Sequence, residues 1–168
     1  MWQSETLAIR CSFPRNKQRI AVIAFTCLLG GCTSSPPNSL GLINNLNLAN
    51  CPDKPNCVVS NADDLAHYID ALDHSGDQQT TRDKLVDVIS SMEGGTVTLE
   101  ESVTMKNAKH NSIYIRAEFQ SKWFKFVDDT EFLIEKEKIQ VCSAARLGRS
   151  DFGVNRERLE SIRRAFSP

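Results

Sequence analysis

The residues best suited to chemistry fall in two short stretches of the C-terminal half. One is Phe126-Val127-Asp128-Asp129-Thr130-Glu131-Phe132. Two-residue alternation puts Asp128 on the face that carries Phe124, Phe126 and Phe132, and a carboxylate among aromatic rings is costly unless it is paired or opens into a pocket. The alternative is a bulge or turn that rotates Asp128 and Asp129 outward. The other stretch runs Arg146-Leu147-Gly148-Arg149-Ser150-Asp151-Phe152-Gly153-Val154-Asn155-Arg156. Its N–H groups at the start of a helix can hold an anion, with Arg146, Arg149 and Arg156 adding positive charge. The commoner outcome for such a segment is a strand-to-helix turn. Asp151 or Asn155 would cap it, and the arginines would pair with Asp128 or Asp129.

Other chemistry is thinly represented. The chain has no G-x-S-x-G, S-x-x-K, Walker loop, G-x-G-x-x-G or H-E-x-x-H pattern, so no catalytic residue, cofactor or metal is assigned. His67, His74 and His110 stand in polar contexts and read as surface histidines. Arg158, Arg163 and Arg164 read as a solvated basic face.

The elements that must position these residues follow from periodicity. Asp63 to Leu72 places Leu65, Tyr68, Ile69 and Leu72 on one helical stripe, and Thr81 to Met92 does the same with Leu85, Val88, Ile89 and Met92. Thr80 or Thr81 can cap the second helix, and Gly94-Gly95 ends it. The period then changes to two. Val97, Leu99, Val103 and Met105 mark a first strand, interrupted at Glu101. Ile113, Ile115, Ala117 and Phe119 mark a second, alternating with Tyr114, Arg116 and Glu118. Phe124, Phe126, Phe132 and Ile134 mark a third; Ile139, Val141, Ser143 and Ala145 a fourth. A last helix, Asn155 to Phe166, turns Leu159, Ile162 and Phe166 inward. The order ααββββα predicts an α+β domain: a four-stranded antiparallel sheet with helices packed on one face.

The N-terminus predicts where this domain works. Arg10, Arg15, Lys17 and Arg19 precede an apolar run from Ile20 to Leu29, too short to span a bilayer, which takes about 20 apolar residues, but suited to a signal peptide. The run closes on Leu29-Gly30-Gly31-Cys32, which resembles a bacterial lipobox. Cleavage before Cys32 and lipidation of its thiol would anchor the protein in the cell envelope. Thr33 after the cysteine favours the outer membrane, with the domain facing the periplasm. The expected organisation is a signal peptide over 1–31, a lipidated cysteine and flexible tether over 32–50, and one domain over 51–168. The tether would average about 20–25 Å in reach. The leucines near its far end, around Gly41 to Leu46, are candidates to dock on the domain.

Charge and cysteines narrow the function classes. The chain holds 20 basic and 21 acidic residues; cleavage leaves 16 and 20, a net charge of about −4. That argues against a nucleic-acid partner and against a polybasic membrane surface, so membrane attachment is expected through the lipid. Cys11 and Cys27 leave with the signal. Cys51-Pro52-Asp53-Lys54-Pro55-Asn56-Cys57 is a proline-stiffened loop whose ends can be bridged. A Cys51–Cys57 disulfide is favoured over the rival metal site, for which histidine and zinc spacing are missing. Cys142 is then the odd thiol, packed against the sheet as a small hydrophobe.

Three blocks, 51–60 (Cys-Pro-Asp-Lys-Pro-Asn-Cys-Val-Val-Ser), 126–132 and 140–156 (Gln-Val-Cys-Ser-Ala-Ala-Arg onward), resemble the bacterial domain-of-unknown-function family 1499. Similarity runs from about Leu48 to Phe166. The family pattern carries over to Cys51, Cys57, Asp128, Asp129, Ser143, Arg146, Gly148, Ser150, Asp151, Gly153, Asn155 and Arg156. Two positions depart: Cys142 stands where the family usually has arginine, and Ala145 where it usually has serine. The resemblance implies the domain and no activity. Asp128, Asp129, Ser143, Arg146, Ser150, Asp151, Asn155 and Arg156 are therefore the candidate ligand-binding set. The leading expectation is a non-catalytic envelope module for a small ligand or an envelope protein. The alternatives are a periplasmic hydrolase or isomerase using Asp128 or Asp129 as base with Arg146, and a purely structural role.

Overall fold

The computed structural model describes residues 35–37, 40–44, 47–104 and 111–166. Cys32, with the signal sequence, and Met105 and His110 lie outside the described residues. The elements in order are β1 (Leu42–Ile43), β2 (Asn47–Leu48), β3 (Cys57–Val59), β4 (Leu72–Asp73), α1 (Gln78–Ser91), β5 (Gly95–Thr104), β6 (Asn111–Gln120), β7 (Val127–Ile134), β8 (Lys138–Ala145) and α2 (Val154–Phe166).

The fold is α+β, but the main sheet has six strands, not four. Its order is β3-β8-β7-β6-β5, with β4 also paired to β8, and every strand pairing is antiparallel. β5 to β8 are the four expected strands, joined as a consecutive meander. The two extra strands pair with β8 and are only three and two residues long, too brief to register as period-two runs.

The expected helix over Asp63 to Leu72 does not form, and β4 takes its last residue, Leu72. Leu65 is fully exposed there, and only Ile69 and Leu72 of the stripe are deeply buried. Asp63 to His67 form bends and a single turn, closed by the Tyr68 N–H on the Asp64 carbonyl (3.0 Å), and the turn does not propagate because the backbone groups that follow are engaged elsewhere. The Val59 N–H donates to the His67 carbonyl (2.8 Å), and Ile69 N–H donates to the Val59 carbonyl (3.3 Å). Arg156 and Arg163 of α2 donate to the carbonyls of Ala66, Tyr68, Asp70 and Ala71. Those acceptors are thereby withdrawn from an i→i−4 ladder.

Both helices cover one face of the sheet, as the pattern predicts. Leu85 and Ile89 of α1 and Leu159, Ile162 and Phe166 of α2 pack on Ile115, Ala117, Phe119, Phe132, Ile134, Ile139 and Val141. The opposite face carries Tyr114, Leu133 and Cys142 and is partly covered by the β1–β2 hairpin, whose Leu48 is fully buried. The end of the expected tether is thus docked from Gly41 onward, with Gly41 N–H donating to Glu131 Oε1 at 2.6 Å. A bulge between Val97 and Leu99 turns these two residues to opposite faces, Val97 toward the helices and Leu99 toward the hairpin side.

Helix α1 begins three residues before the expected Thr81. Asp77 is its cap, and its carboxylate accepts from the N–H groups of Gln79 (3.0 Å) and Thr80 (2.9 Å). The exit uses Gly94 at φ 76° and Gly95, where an added Cβ would stand 2.3 Å from the Ile89 carbonyl oxygen. Cys51 and Cys57 form the disulfide, with Cα atoms 5.6 Å apart, and Cys142 is a buried free thiol.

Candidate functional site

The candidate residues gather at one end of the sheet, where β7 begins and β8 ends. Alternation sends Asp128 and Asp129 to opposite faces, and each meets a different arginine. Asp129 faces away from the helices and is fully buried. Glu118 lies opposite it on β6 and Ala144 opposite it on β8, so Arg146, two residues beyond Ala144, arrives on the same face. Its guanidinium clamps Asp129 bidentately, Nε to Oδ2 at 2.7 Å and Nη2 to Oδ1 at 2.8 Å, and Nη2 also donates to Glu118. The bonds to Asp129 hold Arg146 charged, far above its ordinary range.

Asp128 faces the helices and meets Arg158 of α2, Nη2 to Oδ2 at 2.6 Å. The Arg158 guanidinium lies 4.8 Å from the Phe119 ring centroid and donates through Nη1 to Asn155 Oδ1 (2.6 Å) and Ser143 Oγ (3.2 Å). Ser143 Oγ donates to Asn155 Oδ1 at 2.7 Å and lies 3.0 Å from Thr130 Oγ1. Asn155, fully buried, donates from Nδ2 to the Asn56 carbonyl (3.1 Å) and to Asp151 Oδ2 (2.8 Å). Asp151 caps α2 by accepting from the N–H groups of Gly153 and Asn155. Burial raises the Asp128 carboxyl pKa, and Arg158 opposes that rise.

Beside this network opens a groove of about 700 Å³. Asp128, Arg158, Phe119 and Val127 lie along it; Phe124 and Phe126 stand on the β6–β7 side; Leu147, Phe152 and Val154 stand on the β8–α2 side. Its walls are exposed aromatics: Phe152 is 96% exposed, Phe124 73% and Phe126 48%. Phe124 and Phe126 stack with centroids 5.7 Å apart. Each wall holds a non-glycine residue in the left-handed region, Lys125 at φ 57° and Phe152 at φ 56°. Such backbone is rare for ordinary side chains and clusters at functional loops.

The predicted set therefore divides. Asp128, Ser150 and Asp151 border the groove; Ser143 and Asn155 lie buried behind Asp128; Asp129 and Arg146 sit on the other face of the sheet. Arg156 is apart, bonded to the Tyr68 and Ala66 carbonyls. The solvated basic face expected of Arg158, Arg163 and Arg164 is corrected in part: Arg164 is exposed, but Arg158 is held on Asp128 and Arg163, partly buried, on the Asp70 and Ala71 carbonyls. His67 and His74 are likewise partly buried, His67 bonded to Asp64 and the Lys54 carbonyl, His74 to Thr81 and the Glu135 carbonyl.

Sequence reasoning missed Arg158, Phe119, Asn56, Leu147 and Phe152. Arg158 was findable, since it stands one helical turn after Asn155 and so shares its face. The exposed walls carry no such signal.

Chemically, the groove offers apolar walls around the Asp128–Arg158 pair, and Glu93, Lys122, Asp151 and Glu157 also line it. The Asp128 and Arg158 charges satisfy each other. A comparison with protein families matches residues 47–166, from β2 through α2, to the family described as "Protein of unknown function (DUF1499)". No curated protein and no solved structure matches the chain. The matched stretch holds the disulfide, both ion pairs and every wall of the groove, and the chain belongs to the DUF1499 family of proteins of unknown function.

Proposed function

We propose that this protein is a lipid-anchored module of the bacterial envelope, cut before Cys32, that binds an amphiphilic small molecule without transforming it. The observation that carries the binding role is the groove. Its volume falls within the range of about 300–1,000 Å³ typical of small-ligand sites. Phe124, Phe126, Leu147, Phe152 and Val154 line it while leaving large apolar surface in water. A folded protein keeps such a cluster exposed at a cost in solubility, which a ligand's apolar part would offset. The Asp128–Arg158 pair at its base would meet the ligand's polar end and set its direction.

The buried arginine sites support the structural part of this division. Arg146 is committed to Asp129 and Glu118, so neither Arg146 nor Asp129 is offered to the groove. The test is a titration with the apolar fluorophore 1-N-phenylnaphthylamine. Wild type should bind it saturably, and Leu147→Ser/Phe152→Ser, which alters only exposed side chains, should weaken binding by about tenfold or more. Equal affinity in the double variant would remove the groove as the site.

A further inference from the structure

We propose that the β6–β7 and β8–α2 turns form a second membrane contact, a tip that inserts its aromatic side chains at the interface of an anionic lipid bilayer. This goes beyond ligand binding in the groove and draws on the envelope location only to bring a membrane near.

The argument starts from what the two turns display. Trp123 is 83% exposed, Phe124 73% and Phe152 96%, and none of them has a core to return to. Tryptophan and phenylalanine at the ends of loops have the chemistry of the bilayer interface, apolar rings at headgroup depth. The same turns carry Lys122, Lys125 and Arg149, all exposed. The Lys122 ammonium stands 5.9 Å from the Trp123 ring centroid and 3.6 Å from Glu93, while Lys125 and Arg149 are in no ion pair among the described residues.

Of the acidic side chains nearby, Glu93 stands against Lys122, and Glu157, exposed along the groove, lies on α2 and on neither turn. Asp151 holds the start of α2, and Asp128 holds Arg158. The two turns themselves therefore present Lys122, Lys125 and Arg149 beside exposed rings, on a chain that is acidic overall, and basic side chains among interfacial aromatics fit the surface of an anionic bilayer. Each basic residue near an anionic surface adds about fivefold to binding. The left-handed backbone at Lys125 and Phe152 fixes the turns that present these side chains.

The docked hairpin shortens the path to the membrane. Gly41 is bonded into the domain by Glu131, and the roughly nine residues between it and Cys32 can span about 30 Å at most. A domain held so close meets the bilayer at high effective concentration, so a weak tip suffices.

The test uses the full chain carrying Trp2→Phe, which leaves Trp123 as its one tryptophan. The chain is mixed with vesicles of equal phosphatidylglycerol and phosphatidylcholine with brominated acyl chains. Trp123 emission should shift to the blue and be quenched by the bromines. Vesicles of phosphatidylcholine alone, or the Lys125→Glu/Arg149→Glu variant, should return the emission to that of the vesicle-free protein. Trp123 left as open to iodide on anionic vesicles as in solution would overturn the proposal, whether or not the chain co-floats with them. Failure here leaves the fluorophore titration of the groove unaffected, and failure of that titration leaves Trp123 free to insert.

Discussion

Glu131 shows how a single carboxylate can be buried on the sheet with part of its capacity unused. It is 1% exposed, its Oε1 accepts from Tyr114 and from the Gly41 N–H, and its Oε2 has no hydrogen-bond partner among the described residues. Cys142 lies directly across on β8. The arginine of the family pattern at that position would stand beside Glu131, and the cysteine here supplies neither charge nor donor. Burial raises the Glu131 pKa above its ordinary 4.5, so the folded state holds the proton more tightly than the unfolded one. The stability this contributes is complete below about pH 4.5 and is lost as pH rises through the folded value. Glu131→Gln removes that loss, so its melting temperature relative to wild type should rise between pH 5 and pH 8. A difference unchanged over that range would show that Glu131 is not a strained carboxylate. Arg146 behaves oppositely, because its partner depends on it. Arg146→Met leaves Asp129 charged and buried, at a cost of about 3–5 kcal/mol visible in urea denaturation.

At the scale of elements, neighbours decided several outcomes against local preference. The stripe from Leu65 to Leu72 is helical in pattern, yet two arginines of α2 and the backbone of β3 take its hydrogen-bonding groups. In β5, Val97 and Leu99 have one-face spacing, and an inserted residue separates them. The exit of α1 follows local rules more closely. At Gly95 an added Cβ meets the Ile89 oxygen at 2.3 Å and Phe119 at 3.0 Å, both in the core. Gly148, in the left-handed region at φ 86°, has its nearest atom at 3.9 Å. Gly95→Ala should therefore cost about 2 kcal/mol or more by thermal denaturation, and Gly148→Ala only the backbone penalty of about 1–2 kcal/mol. Equal losses would mean that crowding at the helix exit does not govern this turn.

For the whole molecule, the sequence made the meander, the inward faces of β6 and β8, the final helix and the disulfide legible. Each rests on a period or a spacing that local chemistry fixes. The groove was not legible, because Phe124 and Phe126 have the spacing of core strand residues and stand instead on an exposed turn. The polar cluster was legible as a set but not as a partition. Alternation predicts that Asp128 and Asp129 face opposite ways, but which arginine reaches each depends on where α2 crosses the sheet.

That partition, with Arg146 and Asp129 holding the fold and the apolar groove holding the ligand, is the central claim. It is tested most directly by measuring 1-N-phenylnaphthylamine affinity side by side in two folded variants. Arg146→Lys, which keeps the charge and loses the bidentate clamp, should be less stable than wild type and bind the probe as tightly. Leu147→Ser/Phe152→Ser should be as stable as wild type and bind about tenfold more weakly. The reverse pattern, binding lost with Arg146→Lys and kept without the two apolar walls, would contradict the account.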